Sequence, residues 1–410
     1  MVGSWQICKT AFREQTCRLW VEPLRAFRFL AAFGSLVWLI LSLQWLRGIR
    51  NVPLLKDLRK PASPDRNPSI SVVLAARDEE LAVKESVGSM LAQDYSGMLE
   101  VIAVNDRSAD RTGEILDDLA REHGGRLRVL HLESLPAGWL GKTYALNAGA
   151  AQAAGEWILF TDADVHFSPE CYEAAVNYAI GDGLDHLTLP PEISCRSVLL
   201  RSFVAAFTLV FEMTQRPWRA SDPMAREYVG VGAFNLVRRD AYEKIGTHSA
   251  IRMRPDDDMK LAKLIKAHGY RQGVVYGTGL VSVEWHQTLR GAVRGLEKSI
   301  FPGLDYRIDA TVAAVLLLLL TNVLPFSRLS SRGMRRVLVG LNILSTCFLY
   351  AYRARHSGTK TPGWYGLLHP IGVCILIYAM LRSALTTIVS GGIEWRGTHY
   401  PLGSLKENEI

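Results

Sequence analysis

The sequence predicts an α/β domain built on a parallel-rich central sheet and flanked by hydrophobic segments long enough to cross a membrane. Two observations lead there. Apolar, β-branched runs recur, and each passes through a polar loop into a stretch of helical periodicity, so that polar clusters fall at the strand ends where a parallel sheet binds its ligands. Outside residues 69–305 the apolar residues gather in long runs, at 27–46 and within 306–390.

Residues 1–26 form a basic arm with Lys9, Arg13, Arg18 and Arg25. The run at 27–46 predicts a membrane anchor, because Trp45, Leu46 and Arg47 close it without the small residues of a signal-peptide cleavage site. The linker 47–68 ends in the Pro-rich stretch Pro61–Pro68, and the domain follows at 69–305. Three apolar runs, Ile308–Phe326, Val337–Tyr352 and Leu367–Val389, predict a cluster of two or three membrane helices over 306–390. The middle run is short enough to be a buried or re-entrant helix, and the last contains Arg382. A tail occupies 391–410. Basic residues flank the first run on both sides, and Arg328, Arg332, Arg335 and Arg336 crowd the loop after the second, so loop charge does not choose an orientation.

Within the domain, Ile70–Ala75 reads as a strand that ends at Arg77-Asp78-Glu79-Glu80 and leads to a helix with Val83, Val87, Met90 and Leu91 on one face. Glu100–Val104 is the next strand, followed by a polar loop from Asn105 to Asp110 and a helix over Arg111–Glu122 with Asp110 as N-cap. Leu127–Leu132 leads to a helix over Thr143–Ala154, and Trp157–Thr161 is a strand ending in Asp162-Ala163-Asp164. Val198–Met213 is apolar enough to lie in a membrane interface or to be a core helix.

The net charge of +7 comes largely from basic residues beside the hydrophobic runs, a pattern suited to membranes and anionic small molecules and not to nucleic acid. Six scattered cysteines give neither a disulfide framework nor a zinc site. There is no Gly-x-Gly-x-x-Gly fingerprint after the first strand and no P-loop. The strand ends are acidic instead. Carboxylates that converge on an anionic diphosphate imply a hard, oxygen-loving ion between them, and Asp162 and Asp164 are the candidate ligands for Mg²⁺ or Mn²⁺. A second acidic group, Asp256-Asp257-Asp258, opens a helix; Asp258 is the candidate general base, with Asp257 second.

The motifs SVVLAARDEE, VNDRSAD, TDAD and DDMKLAKLIKAHGY, in that order, resemble those of a family 2 glycosyltransferase with the GT-A fold, over roughly Ser69 to Ile300. The resemblance implies that Arg77, Glu79, Asp106, Lys142 and Asp162 bind the nucleotide-sugar and that Asp164 and Asp162 hold the metal. Asp258 would then be the base of an inverting single displacement. Asn105 and Arg107 stand where the family often has Asp and usually Gly. The stretch PAGWLGKTYALNAGA, with Trp139, is similar to the subgroup of ceramide and hopanoid-associated glycosyltransferases, which implies a lipid acceptor. The processive Gln-x-x-Arg-Trp motif is not recognisable; Arg290, Arg294 and Lys298 are the basic residues in its region, and Trp285 lies just before them. The tail GGIEWRGTHYPL resembles that of related membrane enzymes and implies packing near the catalytic face.

The resulting expectation is a multi-pass enzyme of a bacterial-type membrane, its catalytic domain cytoplasmic, that transfers one hexose from a nucleotide-sugar, UDP-hexose first, to a lipid. The alternatives are a transferase acting on polyprenyl phosphate or exopolysaccharide, with Arg216, Arg219 and Arg226 open to a phosphate, and a non-catalytic nucleotide-binding scaffold.

Overall fold

The computed structural model describes residues 29–58, 67–327 and 333–408. The basic arm 1–26, linker residues 59–66, Arg328 and Arg332 lie outside the described residues. Helix α1 (Phe29–Asn51) leads into the domain. There, β1 (Ile70–Ala76), β2 (Leu99–Asp106), β3 (Leu127–Leu132) and β4 (Trp157–Asp162) lie parallel, joined by α2 (Val83–Leu91), α3 (Thr112–His123) and α4 (Gly141–Ala150). Their side chains alternate between two buried clusters, with Val72, Leu74 and Leu159 in one and Val73, Ile102 and Ile158 in the other. Strands covered on both faces read as continuous apolar runs, which is why these were legible. Helix α3 starts one residue later than the sequence predicts, and Asp110 sits before the N-cap position, accepting the Thr112 N–H at 3.0 Å.

The chain continues through β5 (Val165–Phe167), α5 (Cys171–Gly181), β6 (His186–Thr188), β7 (Glu192–Ile193), α6 (Val198–Gln215) and α7 (Pro217–Ala220). It then forms β8 (Asn235–Arg238), α8 (Arg239–Lys244), α9 (Asp257–Ala267), β9 (Gln272–Val274) and β10 (Val281–Val283). The main sheet has the order β3-β2-β1-β4-β8-β6-β9, and β5, β10 and β7 form a second, small sheet. Strand β8 is antiparallel to both neighbours. The order reverses between β1 and β4, so the crevice outside their carboxyl ends is where a ligand fits.

Five helical stretches, Phe29–Asn51, Val198–Ala220, Ile308–Phe326, Arg336–Ser357 and Gly363–Val389, are long and apolar enough to cross a membrane. After α10 (Leu289–Glu297) and α11 (Ile300–Gly303) come α12 (Ile308–Leu318), α13 (Met334–Ser357) and α14 (His369–Val389). Helices α1 and α13 run side by side in the same direction: Trp38 bonds Ser345, Asn342 bonds Ser35 and His356 bonds the Ile49 carbonyl, each pair 307 residues apart. Helix α14 runs against the α12 segment, with His369 on Asn322 at one end and Ser383 on the Phe301 N–H at the other. His369 also bonds Tyr350, part-way along α13, so α14 starts inside the helical bundle and ends beside the sheet domain. The hairpin β11 (Gly392–Trp395) and β12 (Thr398–Pro401), followed by α15 (Leu402–Lys406), then returns to the domain.

Helix α6 joins the two parts. Its Leu209 and Met213 pack with Trp45 and Val274, and its Leu200 and Phe203 with Val373 and Leu376 of α14. Buried Glu212 pairs with Arg353 of α13 at 2.8 Å and accepts from Trp45 and Tyr276. A buried ion pair with further hydrogen bonds fixes register, since breaking it strands a charge.

Candidate active site

The carboxyl ends of β1, β2 and β4 meet the start of α9 in one cavity of about 960 Å³. Register places Asp162 beside Ala75 and Asn105 beside Ala76, so Arg77, Asp106 and Asp162 emerge together. Asp106 is nearly buried and flanked by Arg107 at 2.8 Å and Arg77 at 3.7 Å. Arg107 has a φ of +56°, a backbone conformation that favours glycine, and its ion pair with Asp106 is the gain set against that strain. Asn105 bonds His131 at 3.0 Å and accepts the Ser108 N–H, so it shapes the loop from beneath.

Lys142, from the first turn of α4, reaches Asp162 at 2.9 Å and Asp257 at 3.3 Å. It thereby ties the two acidic motifs together. Burial would push the Asp162 carboxyl up, yet Lys142, then Lys298 and Arg396, hold it below the usual carboxylate range. Asp164 is pushed up to about 7 by burial and then by Asp162 and Glu79, which Lys142 offsets only in part. Asp258 is likewise pushed up to about 7, by burial and then by Asp257. Asp256 instead pairs with fully buried Arg254 at 2.9 Å.

The segment around Gly230 and Gly232 packs on these carboxylates. The Gly232 N–H donates to Asp258 Oδ2 at 2.8 Å and its carbonyl accepts the Asp162 N–H at 3.0 Å. A Cβ on Gly230 would stand 1.9 Å from the Asp258 carbonyl oxygen, and one on Gly232 would stand 2.6 Å from Asp162 Oδ2. What these glycines admit is the approach of the two acidic motifs.

Arg77, Glu79, Asp106, Lys142, Asp162, Asp164, Asp257, Asp258 and Trp285 all line the cavity. Trp139 is packed on Tyr144 with centroids 5.5 Å apart, and Arg294 is exposed; neither lines it. Lys298 does line it, as do Trp395, Arg396 and Tyr400 of the hairpin, which the sequence placed only near the catalytic face. The two-residue Arg-Gly turn between short apolar runs was the signal available for them.

Among the described residues no cluster of three protein donors surrounds a metal position. Asp162 and Asp164 nevertheless fit a Mg²⁺ or Mn²⁺ ion, which commonly takes one or two carboxylates and completes its shell with substrate phosphates and water. Burial, and then the charge of Asp162 and Glu79, raise the Asp164 pKa, and such an ion would relieve that charge.

Residues 71–246 match the model of Glycosyl transferase family 2. The matched residues run from β1 past the end of α8 and include Asp106, Lys142, Asp162 and Asp164. It is 27% identical to the beta-monoglucosyldiacylglycerol synthase of Synechocystis over 65% of this chain and 57% of that one. It is 30% identical to the poly-beta-1,6-N-acetyl-D-glucosamine synthase of Staphylococcus epidermidis over 33% of this chain and 31% of that one. The chain thus spans less than two thirds of either relative's length. Among solved structures, the mannosyltransferase PcManGT from Pyrobaculum calidifontis, in complex with GDP-Man and Mn²⁺, aligns over 88% of this chain and 99% of its own, with a TM-score of 0.52 at 16% identity. That likeness shows a GT-A fold.

Proposed function

We propose that this chain is a membrane-bound glycosyltransferase of family 2 that transfers a single hexose, with inversion, from a nucleoside-diphosphate sugar to a lipid. One observation carries the acceptor: the cavity that holds Asp162, Asp164 and Asp258 continues between α6, α12 and α14, where Phe207, Phe211, Leu317, Leu376 and Met380 line it. An apolar branch open to the helical layer admits an acyl or isoprenoid chain with its hydroxyl at the carboxylates.

In this reading Asp258 takes the proton of the acceptor hydroxyl as that oxygen attacks the anomeric carbon. The N–H groups of Gly232 and Met259, both at 2.8 Å, orient the carboxylate without protonating it. Lys142 keeps Asp162 ionised beside it. Asp162 and Asp164 would hold a divalent ion, which when bound stabilises the departing diphosphate.

For the polyprenyl-phosphate alternative, Arg216 and Arg219 already face Glu227 at 3.7 and 3.1 Å, while exposed Arg226 stays open to a phosphate. The parallel course of α1 and α13 and the return of α14 to the sheet domain support a topology in which α14 does not complete a crossing, leaving domain and tail together in the cytoplasm, where nucleotide-sugars are made. A cysteine at Ser404 should then react with impermeant reagents only in inside-out vesicles; labelling of intact cells would refute this orientation.

The reading is tested with membranes containing the protein, UDP- and GDP-sugars and a total lipid extract. Metal-dependent labelling of a discrete lipid is expected. Nucleotide binding without turnover of any donor would favour a scaffold.

A further inference from the structure

The C-terminal hairpin closes over the nucleotide end of the cavity, and nothing in the reading above requires it. Its turn is the two-residue pair Arg396-Gly397, with φ of +51° and +73°. Asn-Gly suits such a turn; arginine in the left-handed region is strained. What arginine supplies is reach. Its guanidinium bonds the Arg77 carbonyl and Glu79 Oε1, spanning from the hairpin to the end of β1. One residue earlier, the Trp395 ring carries the Lys298 ammonium on its face, 4.2 Å from the centroid. On β12, the Tyr400 hydroxyl accepts the Gly141 N–H at 3.2 Å, next to Lys142.

The hairpin is held firmly. Ile393, Tyr400 and Leu405 are buried with Leu140, Met253 and Phe301, and Asn408 exchanges hydrogen bonds of 3.0 Å with Met253 and Ala250. A group presented by so anchored an element is pre-organised for its ligand.

Charge bookkeeping then singles out two cations. Arg77 and Arg107 face Asp106, and Lys142 is spent on Asp162 and Asp257. Lys298 rests on an aromatic face, and the carboxylate paired with Arg396 is Glu79, its side chain about a quarter exposed. Both cations line the cavity and bear on Asp162. We infer that Arg396 and Lys298, the latter positioned by Trp395, clamp the diphosphate of the donor from the side opposite Asp162 and Asp164. This rests on the nucleoside-diphosphate-sugar reading of the site.

The test is the affinity of the full-length protein in detergent for UDP and UMP, and for GDP and GMP, measured calorimetrically with Mn²⁺. Arg396→Ala and Lys298→Ala should each weaken the diphosphate by about tenfold while leaving the monophosphate unchanged, because a charge-assisted bond to the outer phosphate is what is lost. Arg396→Lys should recover part of the difference, and unchanged melting temperatures exclude misfolding as the cause. Equal weakening of diphosphate and monophosphate, or no weakening of either, overturns the clamp. If the unaltered protein binds no nucleotide, the donor reading fails and the clamp falls with it.

Discussion

The backbone N–H of Gly232 donates to Oδ2 of Asp258 at 2.8 Å, joining two motifs that the sequence keeps apart. Through the carbonyl of the same residue the contact extends to the end of β4. The proposed base and one proposed metal ligand, Asp162, are therefore held by one glycine.

Gly232→Ala should damage the chemistry more than the fold. Its Cβ would lie 2.6 Å from Asp162 Oδ2, so the carboxylate must move. A displacement of that size in a reacting constellation costs on the order of 100-fold in rate. Initial rates and a melting curve on the same preparation check this: loss of rate with the melting temperature kept within a few degrees is expected.

Asp258→Asn should abolish transfer, by 10² to 10⁴ or so for loss of a general base, and should stabilise the protein without metal. The folded pKa is raised from 3.8 to about 7. Between those values the folded chain holds a proton that the unfolded chain has lost, so stability falls as pH rises through that window and the full penalty stands above it. The variant should melt roughly 2–5 °C higher than the parent at pH ~8 and show no gain at acid pH. Melting curves in EDTA at both pH values measure it.

Metal binding should weaken on acidification. Asp164 is pushed up to about 7, so below that value an incoming ion must displace its proton. The Kd for Mn²⁺ should rise by up to about tenfold per pH unit below neutrality and level off above it. Asp164→Asn should bind more weakly and lose that slope; calorimetric or paramagnetic titrations separate the two.

Ala314→Trp would fill the apolar branch of the cavity, where Ala314 stands with Leu317 and Met380. Transfer to lipid should fall at least about tenfold, in line with overpacking a bound chain's channel, while slow hydrolysis of the donor by water is kept. Equal loss of both activities would speak against a lipid in that branch.

Much of this was legible in the sequence. Strands β1, β2 and β4 announced themselves because they are covered on both faces, and Asp106, Asp162 and Asp258 because they end strands or start a helix. Strand β8 was not legible: Asn235–Arg238 is four residues long and gains its pairing only from β4 and β6. Nor was the course of the last helices. Composition marked α14 as long and apolar, but its direction depends on His369 meeting Asn322 and Tyr350, contacts between residues far apart in the chain or on different helices. The roles of Lys298 and Arg396 depend in the same way on which carboxylates Lys142 already occupies, and local pattern carries no record of that.

The most direct test of the central claim is the product itself, isolated from membranes supplied with an α-linked nucleotide-hexose and analysed by mass spectrometry and NMR. One hexose added to a lipid through a β-linkage is the predicted result. A ladder of hexose masses, an α-linkage, or product of equal yield from Asp258→Asn would contradict it.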